Sequence, residues 1–216
     1  MIEQGELSLK HMTLLRRAIT EQRSGAASFE GRDWACALPF ERGALLGSDA
    51  SERLCKVLQE PVLGFEWDDT YRNPDGNMSQ TLPRSAIPES VAALNLPMDR
   101  LMIYRKMFAK LPDVRVRYLL GFRFYPEYQR LFQSLYHMSL ATGKVCLDDY
   151  FASAANFIEL RKRMNIIIAA YCMGGLLSAV KNNATFATAS RVAASIPGAA
   201  KLNVVSRVLT RLRGGA

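Results

Sequence analysis

The sequence predicts a mostly α-helical protein, a multi-helix bundle that ends in an apolar helical hairpin and a basic amphipathic terminal helix. Three observations predict this fold class. Apolar residues recur at helical spacing in most segments, no convincing strand pattern is found, and the charge changes from acidic to wholly basic along the chain. With 216 residues, 49% of them hydrophobic and 22% charged, the chain is long and apolar enough to bury a core.

Helical patterns are clear in the first half of the chain. Apolar side chains recur at helical spacing over residues 7–19, with His11 on the apolar face. Asp49 and Glu52 match a capping box ahead of a short helix. Five prolines between residues 60 and 97 predict a loop-dominated segment, and the best candidate for a domain boundary lies there.

Three further helices are predicted in the middle of the chain. The first covers residues 98–111, and the third covers residues 146–165. The second covers residues 114–143, where Pro126 either kinks the helix or starts a new one at its first turn. Arginines alternate with aromatic residues over 115–136, a pattern typical of nucleic-acid binding. The aromatic residues share one helical stripe, which favours a core face instead.

Composition and charge divide the chain into three predicted regions. Residues 1–97 form an acidic region of helices and loops, and residues 98–160 form a central helical region. Residues 161–216 form a basic region with the apolar hairpin, either separate from the centre or continuous with it, and hold nine Lys and Arg but no Asp or Glu. This asymmetry predicts that the C-terminal region binds a polyanion and that the acidic region covers it.

Two apolar arms form the predicted hairpin. The first arm, residues 166–180, is uncharged and spans about 22 Å as a helix, short of the roughly 30 Å of a bilayer core. Its length favours a buried helix, whereas the cations at both ends favour a short membrane span. The second arm, residues 184–200, carries Arg191 near its middle, which suits conditional insertion or a pore lining better than a permanent span.

The candidate site residues lie in and around these arms. Small residues spaced four apart let helix backbones approach closely in lipid, and soluble cores use the same spacing. The predicted residues for membrane insertion and helix packing are Ala170, Gly174, Gly175, Ser178, Ser190, Ala194 and Gly198. The predicted cations that line a pore or bind lipid headgroups are Arg161, Lys162, Arg163, Lys181, Arg191 and Lys201.

The end of the chain completes the functional prediction. Residues 201–213 place apolar side chains on one helix face and cations on the other, which is typical of binding to anionic membranes or acidic grooves. A shielded helical body followed by a small-residue hairpin and a basic end is similar in strategy to pore-forming bacterial toxins of the colicin type. We therefore predict a membrane-active, pore-forming bacterial effector that is soluble until its hairpin inserts. The alternative is a non-enzymatic helical interaction or adaptor module whose hairpin is its core or a dimer face.

Partners and location follow from the first prediction. Anionic membrane lipids are the predicted partners, together with a self-oligomer and a cognate inhibitor or chaperone protein, and nucleic acid ranks below them. No signal peptide is recognised in the first 20 residues. We therefore expect synthesis in the cytoplasm without a Sec signal and action at a target membrane.

Enzymatic and metal-binding patterns are not matched. The chain lacks GxSxG, HExxH, GxGxxG and Walker A motifs. His137, Cys146 and Asp148 or Asp149 are close in sequence, but no oxyanion-hole pattern accompanies them. The four cysteines lack metal-binding spacing and indicate buried thiols. We expect no enzymatic activity, no cofactor and no metal.

Overall fold

The protein has a mixed α/β fold, described by a computed structural model for residues 4–71, 81–117 and 126–178. Of these residues, 53% are helical and 19% belong to strands, and five of the strands form one antiparallel sheet. The prediction of a mostly α-helical bundle without strands is therefore wrong. All the described residues lie in one compact unit, Met1–Ala179.

The described part of the chain contains seven helices and seven strands. In chain order they are α1 (Gln4–Thr20), β1 (Gly25–Glu30), β2 (Ala35–Glu41), β3 (Ala44–Leu46), α2 (Ala50–Gln59), β4 (Gly64–Asp68), β5 (Thr81–Leu82), α3 (Ile87–Ala92), α4 (Met98–Ala109), β6 (Val114–Val116), α5 (Pro126–Thr142), α6 (Leu147–Ala152), α7 (Phe157–Cys172) and β7 (Leu176–Ser178). The large sheet has the strand order β4-β1-β2-β3-β5, and β6 pairs with β7 in a separate two-stranded sheet.

The large sheet has one buried and one exposed face. Strands β1 and β2 are antiparallel, with Ala27 opposite Leu38 and Phe29 opposite Cys36. Ala27, Phe29 and Leu38 are fully or almost fully buried, whereas the neighbouring residues Ser28 and Ala37 are exposed. Successive side chains in a strand point to opposite faces, so this alternation packs one face against the helices. Because the alternating positions are mostly Ala, Ser and Gly, which have weak strand preference, the sequence carries little strand signal.

A two-residue turn joins β2 to β3. Arg42 and Gly43 both have positive φ, 48° and 78°, which is the conformation of a type I′ hairpin turn. A side chain at Gly43 would place its Cβ 2.7 Å from the carbonyl oxygen of Ile19 in α1. Glycine is therefore required at this position both for the turn and for the approach of the turn to α1.

Helix α7 lies at the centre of the fold. Every residue from Met164 to Cys172 is buried, and α7 packs against α1, α3, α4, α5 and α6. A helix that is apolar on all sides has to be surrounded by other elements. The first arm of the predicted hairpin, 166–180, is thus, as far as residue 178, the end of this core helix followed by a turn and β7, which corrects the prediction of a helical arm. The second arm, 184–200, and the terminal helix, 201–213, lie outside the described residues.

A glycine pair ends α7. Gly174 has a φ of +73° and donates its N–H to the carbonyl of Tyr171 at 3.0 Å, while Gly175 donates to the carbonyl of Ala170 at 2.7 Å. These two bonds form a Schellman motif, which places the residue after the C-cap in the left-handed region. A Cβ at Gly174 would lie 2.9 Å from Cγ2 of Thr20 in α1. The turn therefore depends on glycine at position 174.

Two predicted helices are interrupted in the structure. The segment 114–143 begins with strand β6, and Pro126 is the first residue of α5, as one of the two alternatives for this proline predicted. The alternating Val-Arg-Val of β6 buries both valines and exposes the arginine, which is a strand pattern too short to outweigh the helical pattern beside it. The segment 146–165 forms α6 and α7, separated by residues 153–156.

The predicted capping box at the start of α2 is also corrected. Asp49 occupies the N-cap position but makes no side-chain capping hydrogen bond. Its carboxylate instead pairs with the guanidinium of Arg53 at 2.8 Å. An Asp at this position still places a negative charge at the helix N-terminus, where the backbone dipole favours it.

Two glycine-to-alanine substitutions are expected to separate backbone strain from side-chain overlap. Gly143 and Gly174 share a φ of +73°, but a Cβ at Gly143 meets no atom within 4 Å. Gly143→Ala is expected to lower the free energy of unfolding by about 1–2 kcal/mol, the cost of a left-handed alanine. Gly174→Ala is expected to cost about 1 kcal/mol more because of its contact with Thr20. Urea unfolding at neutral pH measures the free energy of unfolding of both variants. Equal losses in the two variants would contradict the close approach of the turn after α7 to α1.

Candidate functional site

A concave site lies where the turn between β1 and β2 meets the end of α2. Its volume is about 750 Å³, within the roughly 300–1,000 Å³ that is usual for ligand pockets. We call it the Trp34 groove, and its lining residues are Arg32, Asp33, Trp34, Lys56, Glu60, Pro61 and Leu63. The sequence prediction included none of them. The turn sequence Gly-Arg-Asp-Trp between two short apolar segments is the one signal that pointed to an exposed aromatic residue there.

Gly31 positions the indole of Trp34. The Gly31 N–H donates to the Trp34 carbonyl at 2.8 Å and closes the turn between β1 and β2. A Cβ at Gly31 would overlap the indole ring, with its Cδ1 atom only 2.7 Å away. The ring therefore lies directly on the backbone of the turn, half-buried, with the Lys56 ammonium 5.7 Å from its centre. A cation at this distance is within the range of a cation–π interaction.

Arg53 fixes α2, and with it one wall of the groove. Its guanidinium donates to the carbonyls of Ala37 in β2 and Leu46 at the end of β3, both at 2.9 Å, and pairs with Asp49. These bonds hold α2 on the sheet. Lys56 lies one turn after Arg53 on the same helix, so its position over the groove follows from this anchoring.

The third wall is the segment between α2 and β4. Leu63 donates its N–H to the carbonyl of Glu30 at 2.7 Å, which ties this segment to the end of β1. The Leu63 side chain nevertheless stays 56% exposed, the highest value among the large apolar residues that line the groove. The groove therefore combines the exposed Leu63 with the aromatic surface of Trp34. Backbone hydrogen bonds of Gly31 and Leu63 hold the two segments that carry these side chains.

The charged side chains of the groove form no ion pairs in the described part of the chain; they are Arg32, Asp33, Lys56 and Glu60. Lys56 lies instead over the Trp34 ring, whose indole N–H makes no hydrogen bond in the described part of the chain. Two positive and two negative side chains thus border an apolar centre. Such a site is suited to a ligand that carries apolar, charged and hydrogen-bonding groups at short intervals.

The groove has no activated nucleophile. Cys36 lies two residues after Trp34 and is half-buried. Burial raises the pKa of the Cys36 thiol, against the opposing effect of the cations of Arg53 and Lys56. A thiol with a raised pKa is mostly protonated near neutral pH and is a poor nucleophile.

The conceivable Cys-His-Asp arrangement is not assembled among the described residues. His137 is exposed on α5, and its ring lies beside Tyr136. Cys146 is exposed at the N-cap of α6, and Asp148 faces Arg105 at 3.8 Å. No hydrogen bond joins His137 to Cys146. All four cysteines are free, and the residues that the structure describes contain no cluster able to hold a metal ion.

The predicted packing residues of the first arm lie around the end of α7. Ala170 is fully buried in α7, and Gly174 and Gly175 form the turn that ends the helix. Ser178 is exposed at the end of β7. The remaining residues of this set, Ser190, Ala194 and Gly198, lie outside the described residues.

The three predicted cations that the structure describes are bound within the fold. Lys162 pairs with Glu127 at 2.6 Å, and Arg163 pairs with Glu159. Arg161 donates to Asn95, and its guanidinium lies 4.7 Å from the centre of the Phe157 ring. Lys181, Arg191 and Lys201 lie outside the described residues. Within the described ranges no helix has the length and apolarity that crossing a bilayer requires.

Comparisons with family models, curated proteins and solved structures find no match to this chain. The function is therefore argued from the geometry of the chain itself.

His11 is buried in the core without a polar partner. Its ring lies edge-on to Phe29 at 6.2 Å, and neither ring nitrogen makes a hydrogen bond. The sequence places His11 on the apolar face of a helix, and the structure buries that face in the core without supplying a hydrogen bond to the ring from the described residues. Burial, followed by the nearby charge of Arg100, lowers the pKa of His11 to about 3. His11 is therefore neutral at physiological pH and structural in role.

The depressed pKa of His11 makes stability depend on pH. Between about pH 6.5 and pH 3 the unfolded chain binds a proton at this position and the folded chain does not. The free energy of unfolding should thus fall by about 1.4 kcal/mol for each unit by which the pH is lowered through this window. His11→Leu removes this contribution and two unpaired polar atoms, so the variant is expected to gain stability over the wild type as pH falls from 6.5 to 4.5. Urea unfolding at three pH values measures the difference, and a difference that stays constant contradicts the assignment.

Proposed function

We propose that this protein is a non-enzymatic interaction module and that the Trp34 groove binds a short segment of a partner protein. The observation that carries the proposal is the half-buried Trp34, held on its turn by Gly31, in one groove with the exposed Leu63. Tryptophan is among the residues that contribute most to binding at protein interfaces.

The rigidity of the groove supports a binding role. Trp34 is confined by the turn, and α2 is fixed by the hydrogen bonds of Arg53. A preorganised surface loses less conformational entropy on binding than a flexible one. The ring supplies a large and rigid apolar contact area for a ligand.

The border charges support an extended peptide as the ligand. Arg32 and Lys56 contribute two cations, and Asp33 and Glu60 contribute two carboxylates. A peptide with an apolar side chain between charged residues of both signs would pair with this border and place its apolar group against Trp34 and Leu63. Border charges of this kind set specificity and association rate more than affinity.

Peptide selection tests the proposal. Random peptides displayed on phage are selected on the immobilised protein, and their binding is measured by the fluorescence of Trp34 in a Trp67→Phe variant, which leaves one tryptophan. Leu63→Asp is expected to weaken the selected peptides by about tenfold or more, which corresponds to about 1.4 kcal/mol. Trp34→Phe keeps a smaller aromatic ring, so a smaller loss is expected. Because this variant lacks the fluorescent reporter, its affinity is measured by the anisotropy of a dye-labelled peptide.

Leu140→Asp is the matched control, because Leu140 on α5 is 61% exposed and does not line the groove. Its peptide affinity is expected to equal that of the wild type. Selected peptides that bind Leu63→Asp as well as the wild type would reject the groove as the binding site, and an absence of any binding peptide would reject the proposal.

A membrane-active, pore-forming effector is the second candidate. Nine cations and no acid in residues 161–216 favour it, together with the small residues of the second arm. Gly174 is a poor position for testing it, because substitution there strains the end of α7. Gly198→Leu and Arg191→Glu change the second arm instead.

Leakage of dye from anionic liposomes at neutral and mildly acidic pH tests this second candidate. The wild type is expected to release dye, and both substitutions are expected to reduce the rate while the unfolding free energy stays unchanged. Vesicles of neutral lipid serve as the control for charge. Full retention of dye at both pH values would rule out pore formation.

A further inference from the structure

A second groove lies between the first turns of α1 and the end of α4. Its volume is about 570 Å³, again within the roughly 300–1,000 Å³ that is usual for ligand pockets. Leu9 contributes to the wall from α1, and Ile103 and Met107 contribute from α4. This α1/α4 groove shares no residue with the Trp34 groove.

The groove borders a small residue in the first turn of α1. Gly5, the second residue of the helix, lines it, and a Cβ added at Gly5 would meet no atom within 4 Å. Gly5 does not have the positive φ that would require glycine. A larger side chain at this position is therefore compatible with the backbone and would occupy space that the groove leaves open.

An apolar stripe and a cationic stripe run side by side along α4. Ile103 and Met107 are four residues apart on α4 and form the apolar stripe, while Lys106 on α4 and Lys110 at its C-cap are four apart and form the cationic one. Lys106 has no ion-pair partner among the residues that the structure describes. The only acid of the lining, Glu6, has its carboxylate 2.7 Å from Lys10. The groove therefore carries excess positive charge beside an apolar surface.

We propose that the α1/α4 groove binds a single-chain amphiphile with an anionic head, a long-chain fatty acid. The alkyl chain lies along Leu9, Ile103 and Met107, and the carboxylate pairs with Lys106. The flexible thioether of Met107 adapts to a mobile chain. An uncharged chain would gain the apolar contact but not the ion pair, so charge complementarity selects a carboxylate over an alcohol. This site is independent of the proposed peptide-binding function.

Displacement of a fluorescent fatty acid, dansyl-undecanoate, by oleate measures binding to the full chain below the micelle concentration. Oleate is expected to displace the probe, and oleyl alcohol is expected to do so at least about tenfold less well. Gly5→Leu fills the groove without removing a side chain and is expected to weaken oleate binding about tenfold or more. Lys106→Glu is expected to weaken it about tenfold, whereas Lys56→Glu, in the other groove, is expected to leave it unchanged.

Several outcomes would overturn the proposal. Equal displacement by the alcohol would remove the role of Lys106, and oleate binding retained by both Gly5→Leu and Lys106→Glu would place the ligand elsewhere. If Gly5→Leu lowers the unfolding temperature, only the result for Lys106→Glu is used to test the site. The Lys106 side chain is exposed, so this substitution is expected to leave the fold intact. Flotation with anionic vesicles in the absence of probe displacement would indicate a membrane surface contact in place of a fatty-acid site.

Discussion

The fold depends on one constraint, that the last two and a half turns of α7 are buried on every side. No face of the segment 164–172 is suited to water, so α1, α3, α4, α5 and α6 are arranged around it. Few polar contacts are compatible with such a helix, and they serve as fixed points. Asn165 donates to the carbonyls of Ala92 and Leu94 beside α3, and Tyr171 shares a hydrogen bond with Thr13 of α1. These hydrogen bonds fix the rotation of α7 about its own axis. Apolar packing alone would determine that rotation less sharply.

The end of α1 links the helices to the sheet. Gly174 brings the turn after α7 onto Thr20, and Gly43 brings the hairpin between β2 and β3 onto the carbonyl of Ile19. Two chain reversals that are far apart in sequence thus meet adjacent residues of one helix. On its other side, α1 places His11 against Phe29 of the sheet. The helices and the large sheet are therefore joined through α1. The Trp34 groove and the α1/α4 groove both lie on the scaffold that α1 holds together.

The helices with a clear 3.6-residue period, such as α1 and α2, could be predicted from the sequence, since one apolar stripe determines such an element. The sheet could not, because β1 consists largely of Gly, Ala and Ser and its neighbouring hairpin turns through Arg42 and Gly43 instead of the usual Asn-Gly. A run of uncharged residues as short as 166–180 does not distinguish a core helix from a membrane span. The Trp34 groove is assembled from a turn, a helix end and a loop, so no local motif describes it.

The position of α7 also determines what a membrane function would require. The isoleucines at 166–168 would lose little free energy on moving from a protein core to hydrocarbon, since both are apolar. The faces of α1, α3 and α4 that pack on them would meet water instead, at about 1.5–3 kcal/mol for each large side chain exposed. A few such side chains equal the 5–15 kcal/mol that typically stabilises a whole domain. Insertion of the first arm would thus amount to unfolding the described unit, so membrane activity that preserves this fold cannot use the part of that arm that lies in α7.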